Sequence, residues 1–168
     1  NRAPLFLTAN HCFSGVDFAP INQPNLIFIW NWERSSSNCN VDASEEPAMQ
    51  ITTGGYLLSK SGIAPSSGFN ASDFALLYLT QDPLCAPNVN PTPVLNGWTR
   101  RTTFTPQEHS ILIHHPNGDV KKIATDTEPP FNENQTQWIA TFEPTTGSGR
   151  HSVSEQGSSG SPLFLSNT

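Results

Sequence analysis

Short apolar runs, broken at brief intervals by turn residues, constrain this chain more than any other feature. No helical period is sustained over more than about two turns, whereas apolar runs of strand length recur from one end to the other. They fall at residues 5–9, 26–32, 50–59, 74–79, 110–114, 120–125, 137–142 and 162–165. Between them stand Asn22-Gln23-Pro24-Asn25, Pro65-Ser66-Ser67-Gly68 and Pro116-Asn117-Gly118-Asp119, residue types that preset or tolerate turn backbones. Asn117-Gly118 between two apolar runs is a hairpin signal, because both residues accept positive φ at a turn centre. Residues 34–47 are polar and read as a surface loop. With 15 Pro and 11 Gly in 168 residues, the pattern predicts an all-β fold, a sandwich or barrel, in a single domain over residues 1–168.

Charged residues make up only 13% of the chain, against roughly 25% in an ordinary globular protein. The net charge is −6 and no basic stripe is present, which argues against nucleic acid as a partner. No apolar run reaches the roughly 18 residues that a spanning helix needs, so no membrane partner is expected. Disorder is excluded by the 4 Trp and 10 Phe available for a core. The polar, low-charge composition suits a secreted, extracellular protein. Both ends read as buried strands and the first residue is not Met, so the expectation is an internal piece of a longer protein.

Three segments carry chemistry. Leu7-Thr8-Ala9-Asn10-His11-Cys12 runs a strand into a histidine. Ala71-Ser72-Asp73-Phe74-Ala75-Leu76-Leu77 opens a strand with an aspartate. Gln156-Gly157-Ser158-Ser159-Gly160-Ser161-Pro162 places a serine between glycines ahead of another strand. The order His, Asp, Ser is that of the chymotrypsin-type triad. A serine hydroxyl needs an adjacent base to become a nucleophile. An imidazole can take that proton and return it to the leaving group, and a carboxylate must hold its tautomer. Glycines at 157 and 160 let the backbone bend so that nearby amides converge on a developing oxyanion. Singly, His11 reads as well as a packed core residue, Asp73 as a strand cap and the serine segment as a surface loop. Together, in one productive order, they point to catalysis.

These motifs resemble trypsin-like serine endopeptidases, and more closely the bacterial lysyl endopeptidases, secreted proteases that cut after lysine. The likeness extends to Ile27-Phe28-Ile29-Trp30-Asn31-Trp32, Asn96-Gly97-Trp98-Thr99-Arg100-Arg101 and Ile113-His114-His115-Pro116-Asn117. It implies a chymotrypsin-like double six-stranded β-barrel, incomplete at both ends here, with a first barrel over about residues 1–85 and a second over about 92–168. It assigns His11 as general base, Asp73 as its orienter and Ser159 as nucleophile, with the Gly157 and Ser159 amides as the oxyanion hole. Peptide and protein substrates, a monomer, no cofactor and no metal are implied as well. The serine motif is shared with glutamyl endopeptidases, so another specificity on the same fold stays open, as does a non-catalytic binding domain.

Two positions depart from trypsin. Ser158 stands where trypsin carries an Asp that receives the new amino terminus, so activation by that ion pair is not expected. Val153 lies six residues before Ser159, at the substrate pocket, where trypsin has its acid; the resemblance puts the pocket acid of lysyl endopeptidases further along the chain. Cys12, Cys39 and Cys85 are an odd number, which in a secreted protein leaves at least one partner elsewhere. A Cys39–Cys85 bridge and three reduced thiols are both open readings. His114 and His115 are neighbours, so on a strand they face opposite ways and chelate one metal poorly. A zinc site with His109 and His151 is the weaker reading beside a structural one. Asn70-Ala71-Ser72 and Asn134-Gln135-Thr136 match the glycosylation sequon but carry no weight in a bacterial protein. If both barrels are incomplete, residues 1–168 expressed alone are expected to be inactive and poorly soluble, since open edges invite aggregation. An active, monodisperse preparation of these residues by size-exclusion chromatography would overturn that.

Overall fold

The computed structural model describes residues 3–13, 23–34, 49–61, 72–126, 128–132, 138–142 and 154–167. Among them the only regular structure is β-strand and two short 3-10 turns, so the all-β expectation holds. The backbone divides into two compact units: Asn1–Ser61 with Asp73–Gly97, and Gly62–Ser72 with Trp98–Thr168.

The first unit holds one antiparallel sheet. β1 (Leu5–Thr8), β2 (Gln23–Trp30), β3 (Gln50–Lys60) and β4 (Ala75–Leu79) lie in the order β1-β4-β3-β2. Strand side chains alternate between faces, and the apolar residues divide accordingly. Phe6, opposite Leu77 across the β1–β4 ladder, points to the core, while Leu5 and Leu7 are exposed. Phe28, Leu77 and Leu79 form the buried centre, packed round by Phe6, Phe13, Leu26, Trp30 and Leu57. Phe6 meets Phe28 edge to face at 5.1 Å, and Phe28 stacks on Trp30 at 6.4 Å. The indole N–H of Trp30 donates to Thr52 Oγ1 at 2.8 Å, which satisfies a hydroxyl that is almost fully buried.

The second unit contains β5 (Glu108–His114), β6 (Lys122–Thr125), a ribbon of β7 (Phe131–Asn132) with β8 (Trp138–Ile139), and β9 (Leu163–Asn167). The order β6-β5-β9 makes an antiparallel sheet with β5 at its centre. The buried residues of β5 are Glu108, Ser110, Leu112 and His114, while Ile111 and Ile113 are only half-buried. Its inner face is therefore mostly polar, and the cost of burying such groups is met by partners. Glu108 accepts both guanidinium nitrogens of Arg101, at 2.5 and 2.7 Å, and the Thr105 N–H at 2.7 Å. Ser110 Oγ bonds Asp126 at 3.3 Å, and Asp126 also accepts the Glu128 and Thr141 amides at 2.8 Å each. The described strands make open sheets, none of them closed into a barrel.

Most expected strands appear, with ends shifted by particular contacts to residues distant in sequence. β2 stops at Trp30 because Asn31 turns to φ 52°, its amide donating to Gln50 Oε1 at 2.9 Å and to the Pro91 carbonyl at 2.7 Å. Among the described residues of the run over 137–142, the regular structure is β8 and an isolated bridge between Asp126 and Phe142. There the Asp126 carboxylate takes the Thr141 amide that a ladder would have used. Asn117 and Gly118 do take positive φ, 54° and 75°, between the paired strands β5 and β6, though within a connection longer than a two-residue turn.

Two outcomes test this packing. Leu77→Ala should cost about 2–5 kcal/mol, read from the denaturant midpoint, because it empties the centre of the first core. Hydrogen bonds from Arg101 hold the Glu108 carboxyl down at about 2. A depressed carboxyl stabilises the fold above its ordinary pKa of 4.5 and loses that contribution as pH falls through about 2. Stability should therefore decline with acid across that window, and Glu108→Gln should flatten the decline in acid titrations of the unfolding midpoint.

Candidate active site

β1 and β4 bring His11 and Asp73 together. Thr8, the last residue of β1, pairs with Ala75, the first of β4. The chain leaving β1 turns through a 3-10 segment, Asn10–Phe13, that carries His11, and the chain entering β4 passes Asp73. Neighbouring bonds hold both approaches. Asn10 Nδ2 donates to the Ser61 carbonyl at 3.1 Å, and Ser61 Oγ accepts the Phe74 N–H at 3.0 Å. Ser61 N–H donates in turn to the Phe74 carbonyl at 2.8 Å.

The Asp73 carboxylate holds His11 through both oxygens. Oδ1 accepts the His11 backbone N–H at 3.0 Å, and Oδ2 lies 2.5 Å from Nδ1 of the ring. A carboxylate acceptor at Nδ1 places the ring proton there, so that Nε2 carries the basic lone pair. Partial burial acts to raise the Asp73 pKa, but the hydrogen bonds from the His11 side chain and backbone outweigh it and leave the group below its ordinary value. The pair is open to solvent, His11 with 57% and Asp73 with 37% of the side chain exposed. Cys12, beside His11, is exposed, and neither it nor Cys85 forms a disulfide with another described residue. Cys39, and with it the Cys39–Cys85 bridge, lies outside the described residues.

Ser159 sits in the second unit, exposed, in the segment that leads into β9. Two successive four-residue turns shape it. The Ser158 N–H donates to the Glu155 carbonyl at 3.0 Å and the Ser161 N–H to the Ser158 carbonyl at 3.1 Å. Gly157 and Gly160 occupy the third position of each turn, at φ 90° and 82°. Type II geometry demands positive φ there, which explains the glycine spacing. Gly157 has a second reason to lack a side chain, since a Cβ would lie 2.9 Å from Asn117 N and 3.0 Å from the His115 carbonyl. Val153 and His151 lie outside the described residues.

The structural reading of His114 stood in the sequence analysis without its partner, which lies in this segment. His114, only 2% exposed, lies with Nδ1 2.7 Å from Ser158 Oγ. Burial, with the His115 charge, lowers the His114 pKa against an opposing pull from Glu155, which favours the neutral ring. Ser158 Oγ also accepts the Glu155 N–H at 3.2 Å. Asn117 donates its backbone N–H to the Gln156 carbonyl at 2.6 Å and its amide to Glu155 Oε2 at 2.7 Å. His115 instead faces Asp119, its Nδ1 3.0 Å from that carbonyl, so the two adjacent rings have separate partners. The one available sequence signal was the alternation of β5, which sets Glu108, Ser110 and His114 on one face.

A family model described as the C-terminal domain of lysyl endopeptidase matches residues 1–168. The chain belongs to that family. It is thus a lysyl endopeptidase-related, protease-related protein, while the family description names a C-terminal domain and assigns no catalytic step. Within this lysyl endopeptidase-related chain, the serine segment depends on a glycine that touches the β5–β6 connection. Gly157→Ala should cost about 1–3 kcal/mol, from strain at positive φ together with displacement of Asn117. Hydrogen exchange of residues 155–161 should accelerate; unchanged protection would show that the close approach does not matter.

Proposed function

We propose that this chain is a serine endopeptidase acting by acyl transfer, with lysine preferred on the acyl side of the cut. The observation that carries the reading is the two-point hold of Asp73 on His11, with a carboxylate at Nδ1. Such an arrangement suits a base that must take and return one proton while its ring stays oriented. His11 is the general base, Asp73 its orienter and Ser159 the nucleophile. The mechanism requires the Ser159 hydroxyl within hydrogen-bond reach of His11 Nε2. Oγ adds to the scissile carbonyl as its proton passes to Nε2, and the Gly157 and Ser159 amides receive the oxyanion. Collapse breaks the C–N bond, and the imidazolium hands its proton to the leaving amine. A water then repeats the cycle on the ester: His11 takes its proton, the acid departs and the Ser159 hydroxyl is restored. The lysine preference rests on the family alone. A chymotrypsin-like double barrel, action outside the cell as a monomer on peptides, Val153 at the pocket, and the absence of cofactor and metal belong to the same proposal.

One observation favours a second reading. The family description names a C-terminal domain, which fits a non-catalytic module of a larger lysyl endopeptidase-related protein. Fluorophosphonate labelling of the full-length protein separates the two. The proposal expects covalent label on the unaltered protein and none on Ser159→Ala. Label that persists on the alanine variant moves the nucleophile to Ser158 or Ser161, and no label at all favours the binding module. His11→Ala or Asp73→Asn should reduce turnover by about 10⁴-fold or more. Peptides that differ only in the residue before the cut, with Lys, Arg and Glu compared by kcat/KM, decide the specificity.

A further inference from the structure

We infer that His114 is a positioning residue for the Ser159 turn, gripping Ser158 so that the Ser159 amide keeps one direction. The inference rests on the reading of Ser159 as nucleophile and concerns only groups of the second unit. β5 is the central strand of its sheet, paired with β9 as far as Leu112 and with β6 as far as His114, which stands opposite Lys122. His114 is its last residue and is buried, so its ring is anchored by a rigid element. Ser158 Oγ is clamped between that ring, at 2.7 Å, and the Glu155 N–H, at 3.2 Å. A neutral His114 with its proton on Nε2 accepts the Ser158 hydroxyl hydrogen, and the oxygen still accepts from Glu155. Asn117, three residues beyond His114, ties Glu155 and Gln156 to the same β5–β6 connection.

Peptide geometry turns this grip into a consequence for the site. The peptide unit between Ser158 and Ser159 is planar and trans, so its carbonyl and its N–H point in opposite directions. The Ser158 carbonyl is held by the Ser161 N–H at 3.1 Å. With the Ser158 side chain held by His114 as well, the Ser159 N–H has one available direction. That N–H is a proposed oxyanion donor, and such donors act only when they are already aimed where charge develops.

The test is a set of variants in the full-length protein, read by kcat, KM and thermal midpoint. His114→Leu removes the grip and should lower kcat about 10- to 100-fold, with KM within about threefold, because a misaimed donor is felt in the transition state. His114→Asn carries an amide near the place of Nδ1 and should recover most of that loss. Ser158→Ala should lower kcat by a similar factor and supplies the measurement if His114→Leu does not fold. Combining His114→Leu with Ser158→Ala should cost no more than either alone, since both remove one contact. Losses that multiply, or an asparagine variant as slow as the leucine one at an equal thermal midpoint, overturn the inference. Fluorophosphonate label on Ser159 in the unaltered protein separates the two failures. With that label present, multiplying losses reject His114 alone; without it, the nucleophile reading fails and this inference falls with it.

Discussion

The pairing of β1 with β4 governs the first unit, because one ladder both builds the core and assembles the polar pair at its end. The register that sets Phe6 opposite Leu77 also sets Thr8 opposite Ala75. Side-chain direction alternates along a strand, so a slip of β1 by one residue would turn Phe6 to solvent, away from Leu77. Burial of Leu77 and the aromatic cluster around Phe28 opposes that slip. The same force therefore keeps the segments after Thr8 and before Ala75 side by side, and the His11–Asp73 contact follows. An exposed pair would not hold its own geometry, since surface ion pairs contribute little. The apolar ladder beneath it does.

The second unit solves a different problem. Its central strand buries Glu108, Ser110 and His114, groups that cost free energy wherever they lack partners. Each partner comes from elsewhere along the chain: Arg101 and Thr105 for Glu108, Asp126 for Ser110, Ser158 for His114. These bonds join β5 to the segments flanking it, including the one that carries Ser159. A polar inner face thus makes the position of the serine segment depend on specific geometry, where an apolar face would have accepted several arrangements.

Membership in the lysyl endopeptidase C-terminal domain family and the His11–Asp73 geometry bear on different questions. The family states ancestry over the whole length of the chain. The contact between a carboxylate and Nδ1 is local chemistry, and function lives in such sites more than in folds. The family supports a protease-related protein, and the covalent chemistry of Ser159 decides between enzyme and module.

Much of this was legible in the residues themselves. Turn chemistry and the lack of helical period determined the all-β class, because Pro, Gly and Asn act on their own backbones. Gly157 and Gly160 were legible as bends for the same reason, and the segments of His11, Asp73 and Ser159 stood out through their order. The end of β2 at Asn31 and the shortening of the run over 137–142 were not legible, since each depends on a remote partner, Gln50 and Pro91 in one case and Asp126 in the other. Nor was the contact of His114 with Ser158, since the sequence offered only two adjacent histidines with a structural reading. Local backbone preference is written residue by residue, and so the sequence by itself determined strands, turns and candidate chemistry. Which polar groups meet is set by register and by contacts between distant residues, and only the tertiary structure decided that His11 meets Asp73 at the surface and that buried His114 meets Ser158.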